Sequence, residues 1–126
     1  MGRFENQVVV ITGGASGIGE ATARSIVEHG GCVVIADLQQ DRGAALAGEL
    51  GAAAVFRPTD VTVEADIEAA IAAARQSFGG ITGMVNNAGV VGAVGSIMET
   101  SAQAYDRTMA ILARAVFLGV KHAARA

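Results

Sequence analysis

The sequence predicts an α/β chain, a doubly wound parallel sheet with helices on both faces. Three observations predict it. Short β-branched runs alternate with stretches of helical periodicity along the whole length. The runs are apolar at consecutive positions, as in strands buried on both faces. Glycines mark the joints, four of them within the eight residues Thr12–Gly19 (TGGASGIG).

Taken in order, Val8 to Thr12 is the first strand. From Ile18 to His29 the pattern turns helical, with Ile18, Ala21, Thr22, Ser25, Ile26 and His29 near one face, and Gly30-Gly31 suit its end. Cys32 to Ala36 (CVVIA) is a second buried strand, ending at Asp37. Asp41 to Leu50 reads as a helix closed by Gly51, and Ala53 to Arg57 as a short strand stopped by Pro58. Thr62 is placed to cap a helix running to about Phe78, with Glu64 and Asp66 in its first turn. Met84 to Asn86 is a fourth strand and Val90 to Ile97 a glycine-containing loop. Ser101 is placed to cap one long last helix from Ala102. Such alternation implies right-handed crossovers, and the predicted sheet order is 3-2-1-4. A complete fold of two halves has about six strands. The expected architecture is therefore an incomplete doubly wound sheet, one unit over residues 1–126.

The bulk properties exclude several classes of partner. The 126 residues are 52% apolar, yet no run approaches the roughly 20 apolar residues of a membrane span. A net charge of -3 offers no basic patch, so nucleic acid is not an expected partner. A lone Cys32 rules out an internal disulfide and fits a reducing compartment; inside a strand it reads as core rather than nucleophile. The opening MGRFENQ lacks the apolar stretch of a secretory signal, and Asn6 stands where a myristoylation signal has Ser or Thr. The expectation is a cytoplasmic protein. His29 and His122 have no partner at metal-ligand spacing, so the sequence offers no metal site.

The glycine stretch carries the chemistry. A strand ends, a tight turn follows and a helix begins, presenting unpaired N–H groups and the positive end of its dipole. Glycines let the backbone approach a diphosphate and let the helix pack on the sheet. Asp37 lies 18 residues beyond Gly19, at the end of the second strand, where its carboxylate can accept both hydroxyls of an adenosine ribose. Together these point to a dinucleotide site of Rossmann type.

The spacing Thr12-Gly13-x-x-x-Gly17-x-Gly19 resembles the cofactor motif of the short-chain dehydrogenase/reductase family. Asn86-Asn87-Ala88-Gly89 after the fourth strand resembles that family's NNAG motif, and YDRTMAILARAVFLGVKHAA resembles its fourth long helix. The likeness covers essentially the whole chain. It implies that Gly13, Ser16, Gly17, Ile18 and Gly19 line the diphosphate and that Asp37 holds the adenosine ribose with Leu38 beside the adenine. It also implies that Asp60 and Val61 fix the adenine edge. Asn87 would brace the sheet, with Ala88 and Gly89 against the cofactor. A carboxylate at Asp37 repels a 2′-phosphate, and neither Ser16 nor Leu38 supplies a cation to receive one, so NAD(H) is favoured over NADP(H).

The same resemblance implies hydride transfer between nicotinamide and an alcohol or carbonyl, with a Tyr and a Lys four residues later as the acid/base pair, helped by a Ser and an Asn. A phenol near pKa 10 needs a neighbouring ammonium before it can take a proton from an alcohol. Here the only tyrosine is Tyr105, with Met109 four residues on, and the only lysine is Lys121. Tyr105 reads as a packing aromatic of the last helix. The family's catalytic Ser, Tyr and Lys normally lie beyond residue 126, so no catalytic residue is assigned. Leu112 stands where the family has Asn in that helix, and Thr82 where it often has Asp. The chain by itself is expected to lack turnover. A non-catalytic nucleotide-binding pseudo-dehydrogenase and a subunit-interaction fragment stay open beside the enzyme reading. Tyr105, Met109, Leu112, Val116, Val120 and Ala123 form an apolar stripe, widened by Ile111, Ala115 and Leu118. That stripe and the open edge of the fourth strand predict a homo-oligomer.

Overall fold

The computed structural model describes residues 2–126; Met1, the first residue of the expected unit, lies outside the described residues. The strands are β1 (Val8–Thr12), β2 (Cys32–Asp37), β3 (Ala54–Pro58) and β4 (Gly83–Asn86). The helices are α1 (Gly17–Glu28), α2 (Gln40–Leu50), α3 (Glu64–Phe78), α4 (Ala102–Met109) and α5 (Ala115–Arg125). All pairings are parallel and the sheet order is β3-β2-β1-β4, as predicted.

The pleat of the central strands sends alternate side chains to opposite faces. Val8 and Val10 of β1 join Val34 and Ala36 of β2 on one face, beneath Ile67, Ala70, Ile71 and Ala74 of α3 and Leu118 of α5. Val9 and Ile11 join Val33 and Ile35 on the other, beneath Ala23 and Ile26 of α1 and Leu46 of α2. The continuous apolar runs thus feed two cores at once. Ile11 and Ile35 are wholly buried, and each such side chain contributes about 1.5–3 kcal/mol of burial.

Three local expectations are corrected. The buried face of α1 is Gly19, Ala23 and Ile26, while Ile18 is exposed: it opens the helix, where the first turn overhangs the strand ends rather than the sheet. Thr62 does not cap α3. Its N–H and hydroxyl donate to Asp60 Oδ1 at 2.9 and 2.6 Å, while Asp66 Oδ2 in the helix's first turn accepts the N–H of Asp60 at 2.9 Å, so α3 starts at Glu64. The last helix is not uniform. Ser101 caps α4 as expected, accepting the Ala104 N–H at 3.0 Å, but a π-helical turn at Ala110–Arg114 separates α4 from α5. One residue is thereby added to the turn, which rotates the following face.

That rotation decides which residues meet the sheet. Ala115, Leu118 and Gly119 are buried, whereas Tyr105, Met109, Leu112, Val116 and Val120 face outward. Gly119 packs closely on β4: a Cβ there would displace the Asn86 side chain. α5 is tied to α3 by Glu64, whose Oε2 accepts from Lys121 Nζ at 2.9 Å and meets His122 Nε2 at 2.6 Å. Those two partners, His122 first, hold the Glu64 carboxyl down to about 2. Thr82 fastens the entry to β4, its Oγ1 accepting the Val8 N–H at 2.8 Å. No helix among the described residues is long and apolar enough to cross a membrane.

Candidate functional site

Parallel strands present their C-terminal ends along one rim of a sheet, so the loops after β1 to β4 converge there. In this chain they enclose a cleft of about 530 Å³. The β1–α1 turn contributes Gly13, Ser16 and Ile18; the end of β2 contributes Asp37, Leu38 and Gln39. The stretch after β3 adds Thr59 to Thr62, the stretch after β4 adds Asn87 to Val90, and Arg107 and Ile111 close the far side. Every residue singled out from the sequence lines this cleft except Gly17 and Gly19, which shape the turn behind it.

The turn needs its glycines for separate reasons. Gly13 and Gly17 are left-handed, at φ 67° and 55°. Gly19 is ordinary helix but leaves no room, since a Cβ would overlap the carbonyl oxygen of Gly13. Ser16, at the N-cap, makes no capping hydrogen bond, so first-turn N–H groups of α1 stay available to a ligand oxygen. The turn is fastened to the β4 loop by a hydrogen-bonded knot. Thr12 Oγ1 accepts the N–H groups of Asn87 and Ala88, both at 3.1 Å, and Asn87 Nδ2 donates to the Gly13 carbonyl at 3.1 Å.

Asp37 is buried with its carboxylate fixed from two sides. Oδ2 accepts the Ala15 N–H at 3.0 Å and Oδ1 the Gln39 N–H at 2.9 Å. The Gln39 side chain spans the cleft entrance, donating to Ser16 Oγ at 3.1 Å and Asp37 Oδ1 at 3.3 Å. Asp60 is held below its ordinary carboxyl range by the Thr62 hydroxyl and then the Thr62 N–H. Leu38 and Ile18 stand exposed where they line the cleft.

Sequence reasoning missed Gln39, Thr59, Arg107 and Ile111. Gln39 follows Asp37 by two residues, and Arg107 and Ile111 share a helical face, so adjacency and periodicity were the available signals. Tyr105 does not line the cleft and is exposed rather than packed, and Lys121 is engaged by Glu64. Leu112 lies inside the π-helical turn and abuts Gly89, where a Cβ would sit 3.5 Å from its Cδ2.

The family model for short chain dehydrogenases matches residues 7–126. The chain belongs to the short-chain dehydrogenase family. Among curated members it is 48% identical over 125 residues to momilactone A synthase of Oryza sativa subsp. japonica, covering 98% of this chain and 46% of that protein. It is 44% identical over 124 residues to 2-(S)-hydroxypropyl-CoM dehydrogenase 3 of Xanthobacter autotrophicus, covering 96% and 48%. Among solved structures, 3-ketoacyl-(acyl-carrier-protein) reductase from Brucella melitensis, complexed with NADH, superposes with a TM-score of 0.88 at 35% identity, over 93% of this chain and 48% of that one. This short-chain dehydrogenase spans about half the length of the curated relatives it matches. It has the doubly wound fold of that solved relative, with the cleft at the strand ends.

Proposed function

We propose that this short-chain dehydrogenase chain binds NAD(H) in the cleft, in preference to NADP(H), as the cofactor-holding part of an alcohol/carbonyl oxidoreductase. The carrying observation is Asp37: a buried carboxylate at the end of β2, fixed by the Ala15 and Gln39 N–H groups beside the glycine turn. The residues present fit the cofactor. The α1 N-terminus and its glycines suit a diphosphate, Asp37 suits paired ribose hydroxyls, and Leu38 with Val61 suits an adenine. A 2′-phosphate would lie against the Asp37 carboxylate, and Arg42 is already paired with Glu20 at 3.3 Å. When bound, the nicotinamide supplies hydride transfer; this chain's residues position it. A free Cys32 suits the cytoplasm.

A second reading, binding without turnover, is favoured by the Tyr105/Met109 spacing and by Leu112 on the last helix. Calorimetric titration of the 126-residue chain with NADH and NADPH decides the first point. Micromolar NADH binding, about −8 kcal/mol, with much weaker NADPH binding is expected. Equal affinity, or none, removes the Asp37 argument. NADH oxidation over a carbonyl panel tests the second, and no turnover by this chain alone is expected.

The reading extends to assembly. β4 has a strand neighbour on one side only among the described residues, and the outer face of α4–α5 exposes Tyr105, Phe117 and Val120. Unpaired strand edges and contiguous apolar faces favour association. Sedimentation of the chain should show dimers or larger species at high micromolar concentration; a monodisperse monomer refutes this.

A further inference from the structure

We propose that Glu64, Glu68 and His122 form a binding site for a zinc ion, outside the cofactor cleft and independent of it. Glu64 and Glu68 stand one helical turn apart on α3, and His122 comes from α5. His122 Nε2 lies 2.6 Å from Glu64 Oε2 and 3.7 Å from Glu68 Oε1, and the three donor atoms lie within 4.8 Å of one another.

Zinc takes imidazole nitrogen and carboxylate oxygen at about 2.0–2.2 Å, so tetrahedral neighbours sit about 3.4 Å apart. The two separations from His122 Nε2 bracket that value, and the third pair lies within 4.8 Å. The set is mixed: one neutral nitrogen and two anionic oxygens, which neutralise a divalent charge and suit borderline metals over calcium or magnesium. The His122 ring is 12% exposed, packed between the helices with Nε2 directed at both carboxylates. A cavity of about 490 Å³ opens beside it, lined by the two carboxylates, Ile71 and the cationic Arg75, Lys121 and Arg125, with room for a water as fourth ligand.

Lys121 Nζ lies 2.9 Å from Glu64 Oε2 and neutralises one of the two carboxylates. Its flexible stem lets it swing away, and it is the competitor that zinc displaces. The bound ion would clamp α5 to α3 more tightly than the present ion pair.

The test is calorimetry of the full chain with Zn²⁺ in chelator-treated buffer, with Co²⁺ absorption as a second readout. Saturation at one equivalent and four-coordinate Co²⁺ bands are expected. His122→Ala should weaken zinc at least about tenfold, the scale at which even outer-shell changes act. Glu68→Gln should do the same without endangering the fold, because Glu68 makes only the long contact. Lys121→Met should tighten binding. Absence of saturable binding overturns the proposal, as does binding that survives unchanged in either His122→Ala or Glu68→Gln.

Discussion

Gly19→Ala should unsettle the cofactor cleft more than any other single methyl group. The new Cβ would overlap the Gly13 carbonyl oxygen and stand 2.7 Å from Asn87 Nδ2, the two atoms of the hydrogen bond that fastens the turn to the β4 loop. Alanine gains about 1 kcal/mol of helix propensity over glycine. Overpacking against fixed backbone costs roughly 1–3 kcal/mol or more. The clash should win, because the nearest atoms belong to the Gly13 backbone carbonyl and not to a side chain that can swing away. A lower denaturant midpoint and at least about tenfold weaker NADH binding, 1.4 kcal/mol, are expected. Gly48→Ala in α2 is the control: nothing lies near its Cβ, so it should gain about 0.5–1 kcal/mol. If the two variants behave alike in urea and calorimetry, the packing argument at Gly19 fails.

Removing the Asp37 carboxylate should abolish cofactor discrimination. Each hydrogen bond to a charged acceptor is worth about 1.5–3 kcal/mol, so losing two ribose contacts in Asp37→Ala should weaken NADH roughly a hundredfold or more. The change also orphans the Ala15 and Gln39 N–H groups, at about 1–3 kcal/mol for each that stays buried. Asp37→Asn separates the two effects. It removes the charge and keeps one acceptor oxygen, so one of the two backbone N–H groups stays paired; the fold should lose less than in Asp37→Ala, while NADPH affinity rises toward that of NADH. Paired titrations measure this directly. An unchanged NADH preference in Asp37→Asn would mean that discrimination resides elsewhere.

The sheet was legible because VVVI and CVVIA are apolar at consecutive positions, as strands buried on both faces require. The site was legible because its residues sit in the loops that follow each strand, where sequence order maps onto spatial convergence. Other features were hidden by their physics. Ile18 shares the helical periodicity of α1, yet it stands exposed at the cleft, so periodicity alone did not give the buried face. Thr62 looked like a cap, but Asp60 won its hydroxyl and N–H. The π-helical turn at Ala110–Arg114 has no glycine or proline to announce it. Glu64 and His122 meet across 58 residues, so spacing alone could not join them.

The knot at Thr12 has a consequence in time. Gly13 emerges from the ribosome early, but Asn87, which closes the turn upon it, follows 74 residues later. At about 5–20 residues per second, the β1–α1 turn waits roughly 4 to 15 seconds for its clasp. During synthesis β1, α1 and β2 can collapse as a local unit, yet the cleft has one wall missing until β4 arrives on the far side of β1. A nascent chain halted before residue 87 therefore has the glycine motif complete in sequence and unfinished in shape.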